Sequence, residues 1–152
     1  MSENLIIGCV TIAVCLAIQC VVVGTLFEIL LALERKQIIK TTLFGVSSLL
    51  IGVLLIMLAG NLLQITLWAG LFFACDEFED LATAFYHSVV NFSTLGYGDL
   101  VMSEKRRLLG ALEAANGVLM FGLTTSFLFL VLSELASREW NKRIGQDAES
   151  KR

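Results

Sequence analysis

The chain has 152 residues, 57% of them hydrophobic and 16% charged, with a mean hydropathy of +0.80 and a formal net charge of −3. A soluble domain carries about 25% charged residues, and one small core cannot absorb this much apolar surface. Lipid is therefore the expected solvent for much of the chain, and the length leaves no room for a second folded domain.

The cysteines, Cys9, Cys15, Cys20 and Cys75, form no C-x-x-C pair, and the chain has a single histidine. This favours small packed or lipid-facing residues over a disulfide framework or a metal centre. No constellation of side chains supports an enzyme.

The first apolar run covers residues 5–33. At 1.5 Å per residue it would reach about 43 Å, more than the roughly 30 Å of a bilayer core, so it must tilt or project. Its head, Met1-Ser2-Glu3-Asn4, has no basic residue, and the run is too long for a cleavable signal peptide. Glu28 is its one charge and is expected to reach toward headgroups. A basic connector follows at residues 34–40, containing Arg35, Lys36 and Lys40. The second run, residues 43–74, carries Gly45, Gly52, Gly60 and Gly70, which permit close helix approach. Asn61 and Gln64 lie three residues apart on one face and should point at protein, because an unpaired amide in hydrocarbon is costly. Trp68 falls where an interfacial aromatic belt is expected.

Asp76-Glu77-Phe78-Glu79-Asp80 is an acidic segment that either concentrates cations or is simply a solvated loop. Residues 81–93 predict a helix too short to cross a bilayer, with Asp80 as its N-cap. It leads into Thr94-Leu95-Gly96-Tyr97-Gly98-Asp99. The third long run is predicted over residues 104–135, capped by Ser103, with Glu104 suiting the positive end of the helix dipole. The tail, residues 136–152, is polar; Arg138, Trp140, Lys142 and Arg143 suggest an interfacial turn before a frayed end. Eight basic residues lie in the connector and tail (Arg35, Lys36, Lys40, Arg138, Lys142, Arg143, Lys151, Arg152), against Lys105, Arg106 and Arg107 after the short helix. The positive-inside rule then puts the N-terminus and the 94–99 segment outside and the C-terminus in the cytoplasm.

Thr94 to Gly98 closely match the Thr-Val-Gly-Tyr-Gly signature of the potassium-channel selectivity filter. Gly-Tyr-Gly-Asp alone would be an ordinary turn. The specificity comes from the preceding threonine, the short helix before it and the apolar runs on both sides. A phosphate-binding glycine loop fits less well, since a third glycine and a preceding strand are missing. Over residues 43–135 the chain resembles a bacterial potassium-channel pore subunit of the two-helix, pore-loop type, with an extra N-terminal transmembrane helix.

The resemblance implies an all-α membrane protein: three transmembrane helices plus a re-entrant pore helix and filter loop. Residues 1–42 would be the additional helix and connector, and 43–135 the pore domain (outer helix 43–74, pore helix 81–93, filter 94–99, inner helix 104–135). Residues 136–152 would be a short cytoplasmic tail. One filter segment per chain requires a homotetramer, because four must encircle the ion. K⁺ would be held by the hydroxyl and carbonyl of Thr94 and by the carbonyls of Leu95, Gly96 and Tyr97. Gly96 and Gly98 would supply backbone angles closed to other residues. The setting would be the cell (inner) membrane, with lipid and K⁺ as partners, no organic cofactor, no nucleic acid and no enzymatic step.

Asp99, His87, Tyr86, Asn91 and Glu113 would support the filter. Leu95 stands for the usual Val and Asn91 for a frequent Thr. Val90 occupies a position where some members have a Glu bonded to the filter aspartate, which leaves Asp99 without that partner. His87 is either a packing residue or a pH sensor. Glu113 should face protein together with Asn116, either as a brace behind the filter or as a proton sensor. Gly117, Phe121, Thr125 and Phe129 recur at four-residue spacing on one helix face. The resemblance makes Gly117 a hinge, Phe121 and Thr125 cavity-lining, and Phe129 a constriction; the other reading is a packing stripe. The sequence has no proline, which excludes a proline bend. The first helix has no regularly spaced arginines and is not a voltage sensor. A non-selective cation channel and a regulatory pore-family subunit are the competing functions, and the gating stimulus stays open.

Overall fold

The computed structural model describes residues 2–35 and 43–150, with the backbone alone at 43, 138, 141–143 and 145–150. Four helices follow one another among the described residues: α1 (Ser2–Arg35), α2 (Leu43–Ala74), α3 (Leu81–Phe92) and α4 (Arg107–Ser150). Lys36, Lys40, Lys151 and Arg152 lie outside the described residues, as do the side chains of Arg138, Lys142 and Arg143. Three helical stretches, Ser2–Arg35, Phe44–Ala74 and Arg107–Ser137, are long and apolar enough to cross a membrane. At 12 residues, α3 is not. The architecture is the expected all-α one, three spanning helices with a short helix wedged among them.

The buried positions explain why these helices associate in lipid. On α1 they are Asn4, Gly8, Cys15, Gln19 and Leu26, a narrow seam at alternating spacings of four and seven. The seam is mostly small or polar, while Ile6, Val10 and Val21 are exposed. Lipid is as apolar as leucine, so small residues and hydrogen bonds, rather than apolar burial, draw the helices together. A Cβ at Gly8 would collide with the Leu112 side chain of α4, and one at Gly60 would press on Val22 of α1 at 3.1 Å. Nothing approaches Gly52 or Gly70, so of these only Gly60 acts as a close-approach position.

On α2 the buried set Met57, Asn61, Gln64, Ile65, Trp68 and Phe72 forms a broad stripe. Asn61 and Gln64 do face protein: Gln64 Nε2 donates to Gln19 Oε1 of α1 at 2.9 Å. Trp68 does not form an interfacial belt. It is fully buried, 5.8 Å from the Phe72 ring and against the Cys15 thiol. The wedge made by α3 moves this level of α2 from a lipid-facing position into the core. One apolar cluster (Trp68, Phe72, Phe92, Met102, Leu109, Met120) lies around α3. A second (Leu26, Val53, Met57, Phe127, Val131) joins the far halves of α1, α2 and α4.

The bounds of α4 differ from those expected. Its start is later, because Ser103 opens a turn whose carbonyl accepts from the Arg106 and Arg107 amides at 3.0 and 2.9 Å. The Ser103 hydroxyl donates instead to Glu77 at 2.7 Å, so it caps no helix. The far end runs on to Ser150 rather than turning near 135. Residues 136–150 contain no proline and are rich in Ala, Glu, Arg, Lys and Gln, all good helix formers. The change from apolar to polar sequence ends the membrane-compatible stretch, not the helix.

Candidate functional site

The site is built from α3 outward. Asp80 caps its N-terminus: Thr83 N–H donates to Oδ1 at 2.8 Å and the Thr83 hydroxyl to Oδ2 at 2.7 Å. These bonds hold the Asp80 carboxyl below its ordinary range. Ala84 and Ser88 are fully buried, and their small size lets α3 lie close against its neighbours. At the other end, Phe92 packs edge-on against Phe121 of α4, ring centroids 5.8 Å apart. Gly117 is buried there too, and a Cβ on it would run into the Phe92 carbonyl. Gly117 is therefore a close-approach position within α4.

The ribbon after α3 folds back on it. Thr94 N–H donates to Asn91 O at 2.9 Å, Leu95 N–H to Val90 O at 3.0 Å, and Gly96 N–H approaches Val90 O at 3.4 Å. In a trans peptide the carbonyl of residue i−1 points opposite to the N–H of residue i. The carbonyls of Ser93, Thr94 and Leu95 are thus turned away from α3. The φ values are positive at Thr94 (59°), Gly96 (58°) and Gly98 (76°), and not at Leu95 or Tyr97. This alternation gathers successive N–H groups on one side. Residues 94–99 are all exposed, with Leu95 and Tyr97 at 55% and 67%. The outward carbonyls of Thr94 and Leu95 therefore lie on an exposed ribbon at the surface of the single chain.

Around this ribbon the expected support residues fall into separate groups. Asp99 has a partner that the sequence left unassigned: Tyr86 OH donates to its Oδ2 at 2.8 Å. The bond lowers the Asp99 carboxyl and raises the Tyr86 hydroxyl from their ordinary pKa values. His87 is buried, 4.8 Å from the Phe78 ring and 5.6 Å from Phe72, and burial pushes its pKa down. A space of about 220 Å³ separates α3 from the ribbon and the start of α4, bordered by His87, Asn91, Gly96, Gly98 and Met102. Glu113 is fully buried in contact with Ser88, and Asn91 Nδ2 donates to its Oε2 at 2.6 Å. Asn116 is buried too but turns to the Cys15 thiol of α1.

Two connections were not foreseen. Glu77 accepts from the Ser103 N–H at 2.8 Å and from its hydroxyl, clasping the segment before α3 to the segment after the ribbon. Part of the acidic stretch is thus structural, while Glu79 is exposed. Arg106 donates to Asn4 Oδ1 at 2.7 Å and pairs with Glu3 at 3.5 Å, fastening the start of α1 to the same region. Along α4, Phe121, Thr125 and Phe129 stay exposed. In this chain they form an open stripe, with Gly117 on its buried edge.

Residues 61–134 match the family model described as Ion channel. The match runs from Asn61 in α2 through α3 and the ribbon to Glu134 in α4, leaving α1 outside. No curated protein and no solved structure matches the chain. Over that stretch the chain is similar to ion channels, and three of its helices are long and apolar enough to cross a membrane.

Proposed function

We propose that the chain is the pore-forming subunit of a potassium-selective channel that assembles as a homotetramer and conducts K⁺ passively. The observation that carries this reading is the ribbon at Thr94–Gly98. The N–H groups of Thr94, Leu95 and Gly96 turn to α3 carbonyls, which turns the carbonyls of Ser93, Thr94 and Leu95 the other way. A single ribbon presents oxygen to one side of an ion only. Four around an axis would replace the hydration shell of K⁺ at Thr94, Leu95, Gly96 and Tyr97. Phe121, Thr125 and Phe129 would then face the axis beyond the ribbon. Basic-residue placement favours the ribbon outside and the C-terminus in the cytoplasm. A non-selective channel would need a looser ribbon, which the Tyr86–Asp99 bond and the α3 clasp argue against.

Purified chain in liposomes tests this. K⁺ flux down its gradient without any partner protein, a large preference over Na⁺, and a tetrameric mass in detergent are expected. Equal K⁺ and Na⁺ flux supports the non-selective channel, and absence of flux from a tetramer supports a regulatory subunit.

A further inference from the structure

Glu113 sits in the second turn of α4 with no solvent exposure and with no ion pair among the described residues. The groups facing it are few. α1 offers the Cys15 thiol. α2 offers the Ile65 carbonyl, reached through Ser88. α3 offers Ser88 and Asn91, while His87 turns to the rings of Phe72 and Phe78. No Lys or Arg is among them. A bare carboxylate in such a place is costly unless cations or several donors compensate it.

Counting hydrogens decides its state. Asn91 Nδ2 has two: one goes to the Gly110 carbonyl at 2.7 Å and the other to Glu113 Oε2. Gly110 O can only accept, so the orientation of this amide is fixed without reference to Glu113. Ser88 Oγ has a single hydrogen but contacts two acceptor oxygens, Ile65 O at 2.9 Å and Glu113 Oε1. Were Glu113 ionised, one of those contacts would be oxygen against oxygen with no proton between them. A proton on Oε1 satisfies both: Glu113 donates to Ser88, and Ser88 donates to Ile65 O.

We propose that Glu113 is a buried proton-binding site, occupied in the resting protein, whose acid hydrogen heads a chain Glu113→Ser88→Ile65 tying α4 to α3 and α3 to α2. Glu113 is a positioning residue, since it touches α3 and not the ribbon. The assignment stands apart from the potassium reading, although on that reading loss of the proton would loosen the seat of the pore helix.

Infrared spectroscopy of the purified full chain, with ¹³C-carboxyl-labelled glutamate, reads the proton directly. A protonated-carboxylic-acid band at neutral pH is expected in the native protein. It should shift with the label and be absent in Glu113→Gln. A native spectrum without that band at neutral pH overturns the proposal. Glu113→Gln should keep the native melting temperature, because its Nε2 can donate to Ser88 while its Oε1 accepts from Asn91. A variant that fails to fold would show that the charge is needed, and overturns it equally. Neither readout depends on conduction, so failure of the channel reading would leave both results interpretable.

Discussion

The Tyr86 hydroxyl donates to Asp99 Oδ2 across 2.8 Å, linking the middle of α3 to the residue that ends the glycine-tyrosine-glycine ribbon. Both side chains are at the surface of the single chain, so the bond acts by geometry more than by burial. It holds the ribbon's far end to the same short helix whose carbonyls hold its near end.

Because the bond favours ionised Asp99, its contribution is complete above the ordinary aspartate range, about pH 4, and is lost as pH falls through the lowered value. The raised Tyr86 hydroxyl behaves in the opposite sense: its contribution is complete below the ordinary tyrosine value near pH 10 and is lost as pH rises through the raised one. Tyr86→Phe should therefore move the Asp99 titration midpoint upward. Carbon NMR of labelled aspartate reads this, and an unmoved midpoint would show that the hydroxyl does not hold the carboxyl.

Gly117→Ala should destabilise the protein by about 1–3 kcal/mol or more, because the new methyl meets the backbone carbonyl of Phe92 and cannot be absorbed by a side-chain rotation. Gly122→Ala meets nothing in the chain and should gain up to about 1 kcal/mol of helix propensity. Thermal unfolding in detergent compares the two. Similar melting of both variants would favour a bending role for Gly117 over a packing one.

The three long helices and the short one were legible because each rule involved is local: apolar runs of sufficient length, an aspartate before a helix, a glycine pattern after it. Asn61 and Gln64 were legible for the same reason, since amides in an apolar run must face protein. Trp68 was misread because only the insertion of α3 buries that level of α2, and a linear sequence does not show a wedge. The Ser103 cap failed because Glu77, 26 positions earlier, competes for the hydroxyl with a full charge. The partners of Asp99 and Arg106 depend on pairings 13 and about 100 residues apart, which composition and periodicity do not encode. The Gly117 hinge came from resemblance alone, and the close contact of Gly117 with the Phe92 carbonyl is a tertiary one that no local pattern shows.

Asn4→Ala tests whether α1 is fastened to the ribbon region. Asn4 is buried; its amide donates to the Lys105 carbonyl, and its Oδ1 accepts from Arg106. Truncation leaves those partners short of hydrogen bonds, at a cost of about 1–3 kcal/mol. Limited proteolysis near residue 40 should then release α1 from the rest more readily than in the native protein. Co-migration of the cleaved pieces in both cases would place the attachment in the Cys15 and Gln19 contacts instead.

The open stripe on α4 makes the pore assignment directly testable. Phe121 is 42% exposed and Phe129 71% exposed in the single chain, with Thr125 between them also exposed. Lipid and a water-filled cavity would both accommodate such a face, but only the cavity admits a charged reagent. In a background where Cys9, Cys20 and Cys75 are replaced by alanine, Thr125→Cys should react with a cationic thiol reagent in reconstituted vesicles, and the bound charge should reduce K⁺ flux. Leu55→Cys, on the exposed apolar face of α2, should not react, because a thiol surrounded by hydrocarbon stays protonated and unreached. Reaction at 55 but not at 125 would put the stripe against lipid and remove it from the conduction path. Because Cys15 is buried beside Trp68, it can be kept without confusing the readout.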